Sequence, residues 1–467
     1  MKLIKKNSHL SSLAILAFWI LMWQVLSTIV NNHLFLPSPI EAARSLWVLL
    51  QMKAYYLDVS ATLIRCILGI LLSFVAGTIF AFLGYKSRTV EAILSLPVNL
   101  LKSIPIMAII IYALILLTSN MVPVFVCFLM CFPIVYINIL SGLKSLPQDI
   151  LEMASVFKVT QKNMVFKVLL PSIIPQVKAS LDLLAGLSWK AVVSAEVLAI
   201  PTLGMGFNLM DSKYYLETEN LFAWILSIVF FSYCFEIVLK KLTNLLSPKE
   251  YCKSKIDLSN NLLDFSKPQG HEIKVNSVSK VYGNQMVLDN ISINFDKQVK
   301  TALVAPSGFG KTTLLRLIAN LESCTSGEII INKEDRISYL FQEDRLVPWL
   351  NIYDNLALIL ADKLPKEESQ KRIEKILNIM ELWKDKNKLP GQLSGGMRHR
   401  VAIARAFIFP ADILLLDEPF KGLDLPLIDR IIDGAWVRTT KDKTVIFSTH
   451  IPEISSKLSD KIINLDI

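Results

Sequence analysis

The sequence predicts a two-part chain, an all-α membrane domain followed by an α/β nucleotide-binding domain. Two patterns predict it. Six long, nearly charge-free apolar runs are confined to the first half, and a glycine-rich phosphate loop sits between a strand pattern and a helix pattern in the second. The chain has 467 residues, too many for one core, and 53% of them are hydrophobic with a mean hydropathy of +0.47. The apolar runs cover 13–30, 61–83, 103–118, 121–140, 179–200 and 222–239, each close to the ~20 residues that cross a bilayer as a helix. From about residue 270 short strands and amphipathic helices with ordinary charge density take over. The expected division is a six-helix transmembrane domain over 1–246, a polar linker over 247–270 and a nucleotide-binding domain over 271–467.

The net charge of +9 does not point to nucleic acid once it is located. Residues 271–467 hold 27 Lys or Arg and 26 Asp or Glu, which leaves 22 and 14 for the first 270. The excess therefore flanks the apolar runs, where orientation accounts for it. Six spans with both ends inside put Lys2, Lys5, Lys6, Lys86, Arg88, the 141–178 loop and everything from Lys240 in the cytoplasm. Only Arg44, Lys53 and Lys213 then fall outside. The first run is basic at its start but no small-residue cleavage site follows it, so it reads as an uncleaved anchor in the inner membrane. The cysteines at 66, 127, 131, 234, 252 and 324 have no metal-ligand spacing.

In the second half, KTALV at 300–304 reads as a buried strand and LLRLIANL at 314–321 as an apolar helix. Between them lie Ala305, Pro306, Ser307, Gly308, Phe309, Gly310, Lys311, Thr312 and Thr313. Glycines at 308 and 310 let backbone N–H groups turn onto phosphate oxygens at a helix N-terminus. Lys311 is placed for the β- and γ-phosphates and the Thr312 hydroxyl for magnesium. The motif usually opens with glycine where this chain has Ala305, so the first turn of the loop is the element in question. ILLLDEP at 413–419 is a buried strand ending in two carboxylates, Asp417 for the metal and Glu418 for polarising the attacking water. In LSGGMRHRVAIARA at 393–406, Ser394, Gly395 and Gly396 open a second anion-binding helix N-terminus.

These motifs, in this order, resemble the ATP-binding-cassette family over all of 271–467. The resemblance implies a Mg-ATP hydrolysing motor in which the LSGG segment completes the site of a second copy. It further implies that Tyr282 stacks on adenine and that Gln342 senses magnesium and the permease. Asp424 is implied in the loop crossing the dimer interface, and His450 as the switch histidine at the γ-phosphate. His399 stands where relatives usually have glutamine.

The loop EMASVFKVTQKNMVFKVLLPSIIP at 152–175 resembles the importer coupling motif, with Glu152, Ala154, Leu170 and Pro171 in register. Met153 replaces an alanine, and Lys158 stands at the position of the turn glycine. FLPSP at 35–39, SWKAVVSAEVL at 188–198, GMG at 204–206 and FQEDRLVPWLNIYDN at 341–355 look like the nitrate/sulfonate/taurine importer family, which includes carriers of thiamine-precursor pyrimidines and of riboflavin. That resemblance implies the type I importer fold, a homodimer and an extracytoplasmic substrate-binding protein that delivers a small solute. A half-exporter and a membrane-tethered ATPase that moves nothing are the alternatives. Glu196, a charge within or near the fifth run, is expected to face a partner group, water or the pathway, with packing or gating favoured over a role as substrate ligand.

Overall fold

The computed structural model describes residues 8–32, 34–245, 269–306, 308–449 and 452–465. Lys2, Lys5, Lys6, Cys252, Ser307 and His450 lie outside the described residues, as does the linker apart from its last two positions. The chain packs into two compact units, one of Met1–Ser145 with Ile173–Ser247, the other of Leu146–Ser172 with Pro248–Ile467.

The first unit is helical: α1 (Ser8–Val30), α2 (Pro39–Leu49), α3 (Lys53–Lys86), α4 (Arg88–Ser103), α5 (Ile106–Leu116), α6 (Val122–Lys144), the body of α8 (Gln161–Ala199), α9 (Met205–Tyr214) and α10 (Thr218–Leu245). By length and composition α3, α6, α8 and α10 can each cross a membrane, and the described part of α1 adds a shorter apolar helix, Ala17–Val30. The expected run 103–118 is not one helix. α4 and α5 meet at a bend of 107°, because Pro105 offers no N–H and forces Ile104 out of helical geometry to ψ 129°. The pair counts as a fifth span only if it is taken as one broken element.

α3 and α6 pack closely against each other through small residues. A Cβ on Gly69 would stand 2.5 Å from the Cys127 sulfur, and one on Gly77 would stand 2.8 Å from a Val135 methyl. Apolar surface gains little by leaving lipid, so van der Waals fit of this kind is what holds such helices together.

Glu196 in α8 is fully buried and fully engaged. Its carboxylate accepts from Arg65 Nη1 at 2.5 Å, from the Thr62 hydroxyl at 2.9 Å and from the Gly206 N–H at 3.0 Å. Gly204, at φ +149°, lies so close that a Cβ would fall 2.7 Å from the carboxyl carbon of Glu196. The GMG turn therefore needs its glycines because a buried carboxylate is packed against it. This places Glu196 on partner groups, in line with a packing role.

The second unit begins with the inserted segment 146–172, which carries α7 (Gln148–Val156) and the first turns of α8, with a π-helical stretch at Met164–Leu169. An antiparallel sheet in the order β2–β1–β4 comprises β1 (Ile273–Tyr282), β2 (Gln285–Phe295) and β4 (Ser326–Ile330). A parallel sheet in the order β5–β6–β7–β3–β8 comprises β3 (Lys300–Val304), β5 (Ile337–Leu340), β6 (Ile413–Asp417), β7 (Thr444–Ser448) and β8 (Lys461–Asn464). β6 and β7 are buried at every position, as a sheet covered on both faces requires. Around it lie α11 (Lys311–Ile318), α12 (Ile352–Leu360), α13 (Lys366–Ile379), α14 (Gly395–Ile408), α15 (Leu425–Ile431, continued by a π turn to Trp436 and by Val437–Thr439) and α16 (Pro452–Leu458).

Candidate functional site

The loop after β3 and the ends of β6 and β7 meet at the carboxyl edge of the parallel sheet, where register pairs Leu303 with Ser448 and Asp417 with Ser448. Open α/β sheets bind ligands at this edge. Gly308 and Gly310 have φ +92° and +76°, and a Cβ on Gly310 would meet a Leu288 methyl at 2.5 Å, so both glycines are required. Ala305 is buried and is not among the left-handed residues, so the first turn of the loop forms without the usual glycine. Lys311 folds back on the loop, donating to the carbonyls of Ala305 at 2.6 Å and Pro306 at 2.9 Å. These are bonds that a phosphate can replace.

Asp417 is held from both sides, by the Thr312 hydroxyl at 2.7 Å and the Ser448 hydroxyl at 2.7 Å. Ser448 also accepts from the Glu418 N–H at 2.9 Å, which fixes the strand end at the point where Glu418 takes φ +51°. The Glu418 carboxylate meets Lys421 at 2.8 Å. Burial raises the Asp417 carboxyl above its usual range; the two hydroxyls oppose this, the adjacent Glu418 adds to it and Lys311 opposes it. Burial likewise lowers the Lys311 ammonium, against the pull of Glu418 and Asp417. The site is thus short of positive charge at Asp417 and of negative charge at Lys311, which suits a hard cation bound together with phosphates. One hydroxyl and one carboxylate from the protein, completed by phosphate and water oxygens, make up a usual magnesium set.

Tyr282 ends β1 and is 44% exposed, with its hydroxyl bonded to Glu322 and Lys280 over one face of its ring at 4.9 Å. Ser394 caps α14 by accepting from Met397 N–H at 3.3 Å, and Gly395 and Gly396 form the first turn. Among the described residues these three make no hydrogen bond to the phosphate loop. Asp424 is the N-cap of α15, and Gln342 is exposed. His399 bridges Asp344 and the Pro419 carbonyl, each at 3.2 Å.

The segment 146–172 docks against the nucleotide-binding fold within the same unit. Glu152 receives both arms of Arg316 at 3.1 Å and Arg345 at 2.6 Å, and Arg345 also reaches Asp149 at 3.1 Å. Burial raises the Glu152 carboxyl, but the hydrogen bonds and charges of Arg316 and Arg345 outweigh it and hold it below its usual range. Arg316 belongs to the helix that starts at Lys311, and Arg345 follows Gln342 by three residues. One carboxylate therefore touches two elements of the nucleotide site. Met153 and Ala154 are buried, and Pro171 lies in α8 just after its π-helical stretch. Lys158 adopts φ +47°, the conformation that the replaced glycine would supply, and its ammonium reaches the Asp335 carbonyl at 3.4 Å.

Sequence reasoning missed the residues that grip this turn. Asp362 accepts from Thr160 at 3.0 Å and Asn163 at 3.1 Å, Lys363 donates to the Phe157 carbonyl that ends α7, and the Trp349 indole donates to the Lys167 carbonyl at 2.9 Å. Ser448, two residues before His450, carries no signal of its own in the sequence.

Residues 288–421 match the family model described as ABC transporter, and residues 69–250 match the binding-protein-dependent transport system inner membrane component. The sulfate/thiosulfate import ATP-binding protein CysA of Synechocystis sp. is 38% identical over 204 residues, covering 41% of this chain and 57% of that protein. CysA of Acinetobacter baylyi is 36% identical over 208 residues, covering 41% and 58%. The spermidine/putrescine import ATP-binding protein PotA of Legionella pneumophila (strain Philadelphia 1) is 38% identical over 203 residues, covering 41% and 56%. The chain thus spans less than three fifths of the length of these curated relatives. A dimeric bacterial ABC transporter cassette is 32% identical, with a TM-score of 0.38, covering 41% of this chain and 93% of that one.

Proposed function

We infer that this chain, a multi-pass membrane protein carrying a binding-protein-dependent permease domain and an ABC ATPase domain in one polypeptide, is the membrane subunit of an ATP-driven importer. The observation that carries the inference is Glu152, a permease-loop carboxylate bonded at once to the phosphate-loop helix and to the segment after Gln342. In this reading the loop backbone from Ala305 to Thr313 and the Lys311 ammonium hold the phosphates of ATP. Thr312 and Asp417, with Gln342, hold magnesium, which supplies charge neutralisation at the phosphates. Glu418 orients and deprotonates the attacking water, with His450 at the γ-phosphate. Tyr282 stacks on the base. Ser394, Gly395, Gly396 and Asp424 act across the face of a second copy, so the working assembly is a homodimer with two nucleotides. Closure of the motors moves Glu152, Ala154 and Pro171, and with them the membrane helices.

The permease match supports delivery of a solute by an extracytoplasmic binding protein, and the excess of basic residues in the loops assigned to the inside supports an ATPase on the cytoplasmic side. The resemblance of 341–355 and 188–206 to the nitrate/sulfonate/taurine group supports a sulfonate, nitrate, taurine or vitamin-precursor cargo. ATPase similarity does not choose among cargoes, since relatives of near-equal identity are named for sulfate, an anion, and for spermidine, a cation. ATP hydrolysis in lipid nanodiscs, with and without the candidate binding protein and a ligand panel, tests the proposal. Stimulation that requires both the protein and one ligand and is absent in Glu418→Gln supports it. Hydrolysis indifferent to every such pair, yet stimulated by lipophilic solutes, would establish the half-exporter instead.

A further inference from the structure

Away from the phosphate loop, a cleft of about 390 Å³ gathers five cationic side chains from three elements. Arg372 and Lys375 come from α13, Arg438 from the end of the α15 continuation, and Lys441 and Lys443 from the turn into β7. The one acidic residue lining it is Asp442. Its floor is apolar, formed by residues such as Ile376, Phe407 and Ala435. Arg372 is paired with Glu368 at 2.5 Å. Among the described residues Lys375, Arg438, Lys441 and Lys443 make no hydrogen bond or ion pair through their side chains.

Lys443 is the anomalous member, since it is only 5% exposed and yet lacks a counter-ion. The carboxylate that acts on it, Asp412, is already held at 2.8 Å by both Arg336 Nε and Nη2. Burial, with the like charge of Arg372, lowers the Lys443 ammonium to about 8. A buried ammonium facing further cations over an apolar floor is costly unless an anion joins it. An anion with several oxygens and more than one charge offsets cations from three elements more fully than a monovalent ion does, and a cleft of about 390 Å³ admits two phosphates.

We propose that this cleft is a binding site for a small anion bearing two or more phosphates, separate from the nucleotide site. Arg438, Lys441 and Lys443 form its charged wall and Ile376 and Phe407 its floor. The C-terminal end of α14, at Ile408, also lines the cleft, so an occupant touches the helix whose other end is Ser394. The site depends on neither the direction of transport nor the cargo.

The test uses the full chain in zwitterionic-lipid nanodiscs with the nucleotide site filled by a non-hydrolysable ATP analogue and magnesium in excess. Inorganic pyrophosphate is titrated by calorimetry against chloride of matched ionic strength. Saturable binding is expected, weakened at least tenfold by Lys443→Met and by the exposed pair Arg438→Glu with Lys441→Glu. The second variant reads the site even if the first misfolds. No saturable binding in the unaltered protein, or equal affinity in the exposed-pair variant, overturns the proposal. Discs containing a lipid whose headgroup bears two phosphates identify the source: loss of the pyrophosphate isotherm assigns a lipid headgroup, its persistence a free anion, and both outcomes retain the site.

Discussion

Ala305 is where one residue of this chain departs most visibly from a motif, and the backbone absorbs the departure. Its φ is not left-handed, so alanine is unstrained and restricts the unfolded chain more than glycine does. Ala305→Gly is therefore expected to lower the stability of the motor by about 0.4–1 kcal/mol, read by denaturant unfolding, and to leave the KM for ATP unchanged. Glu196 is the opposite case. Removing a carboxylate that satisfies Arg65, Thr62 and the Gly206 N–H leaves a buried guanidinium without its partner, a loss on the order of 3–5 kcal/mol. Glu196→Ala should lower the thermal midpoint of the purified protein well below that of Glu236→Ala, whose pairing with Lys240 is exposed. The motif residues were legible because phosphate, metal and water each demand particular groups at fixed spacing. Arg316, Arg345, Asp362 and Lys363 were not, since the coupling-loop groups they meet lie 164 to 206 positions away and no periodicity links them.

Among the elements, the segment 146–172 is held to the nucleotide-binding fold at both ends of its turn. Lys158 holds a left-handed conformation that costs a non-glycine residue roughly 1–2 kcal/mol, and contacts at both ends of the turn maintain it. Asp362→Ala removes the acceptor of Thr160 and Asn163, so amides of 157–163 should exchange faster while those of β6 and β7 keep their protection. Lys363 adds a pH dependence. Burial, with the like charge of Lys158 beside it, lowers this ammonium to about 7 against the opposing carboxylate of Asp362; its amine lies against two carbonyls and the Phe409 ring. The unfolded chain then binds more protons between about pH 7 and pH 10, so this contribution to stability grows as pH rises through that window and is lost as pH falls through about 7. Thermal midpoints measured from pH 6.5 to 9 should rise relative to Lys363→Met, and parallel curves would contradict the assignment. The sequence signalled this segment through Glu152, Ala154 and Pro171, but apolar content alone did not reveal the bend between α4 and α5. Hydropathy counts side chains, whereas the bend comes from the backbone at Ile104 and Pro105.

For the whole molecule, the fold was legible at the level of its two halves because lipid-crossing helices and a phosphate-binding sheet impose different periods on the sequence. The packing of 146–172 with the nucleotide-binding fold was legible only through the coupling-motif resemblance, since its partners come from separated stretches around 316, 335, 345, 362 and 409. Two differently tagged copies should co-purify, because among the described residues Ser394 makes no hydrogen bond to the phosphate loop of its own copy. The measurement that bears most directly on the central claim is solute accumulated per ATP hydrolysed in proteoliposomes, with the binding protein on the opposite side from ATP. The unaltered chain should accumulate solute on the ATP side, and Glu152→Ala should retain basal hydrolysis while accumulation falls at least tenfold. Undiminished accumulation in Glu152→Ala, or net movement of solute away from the ATP side by the unaltered chain, would contradict the account.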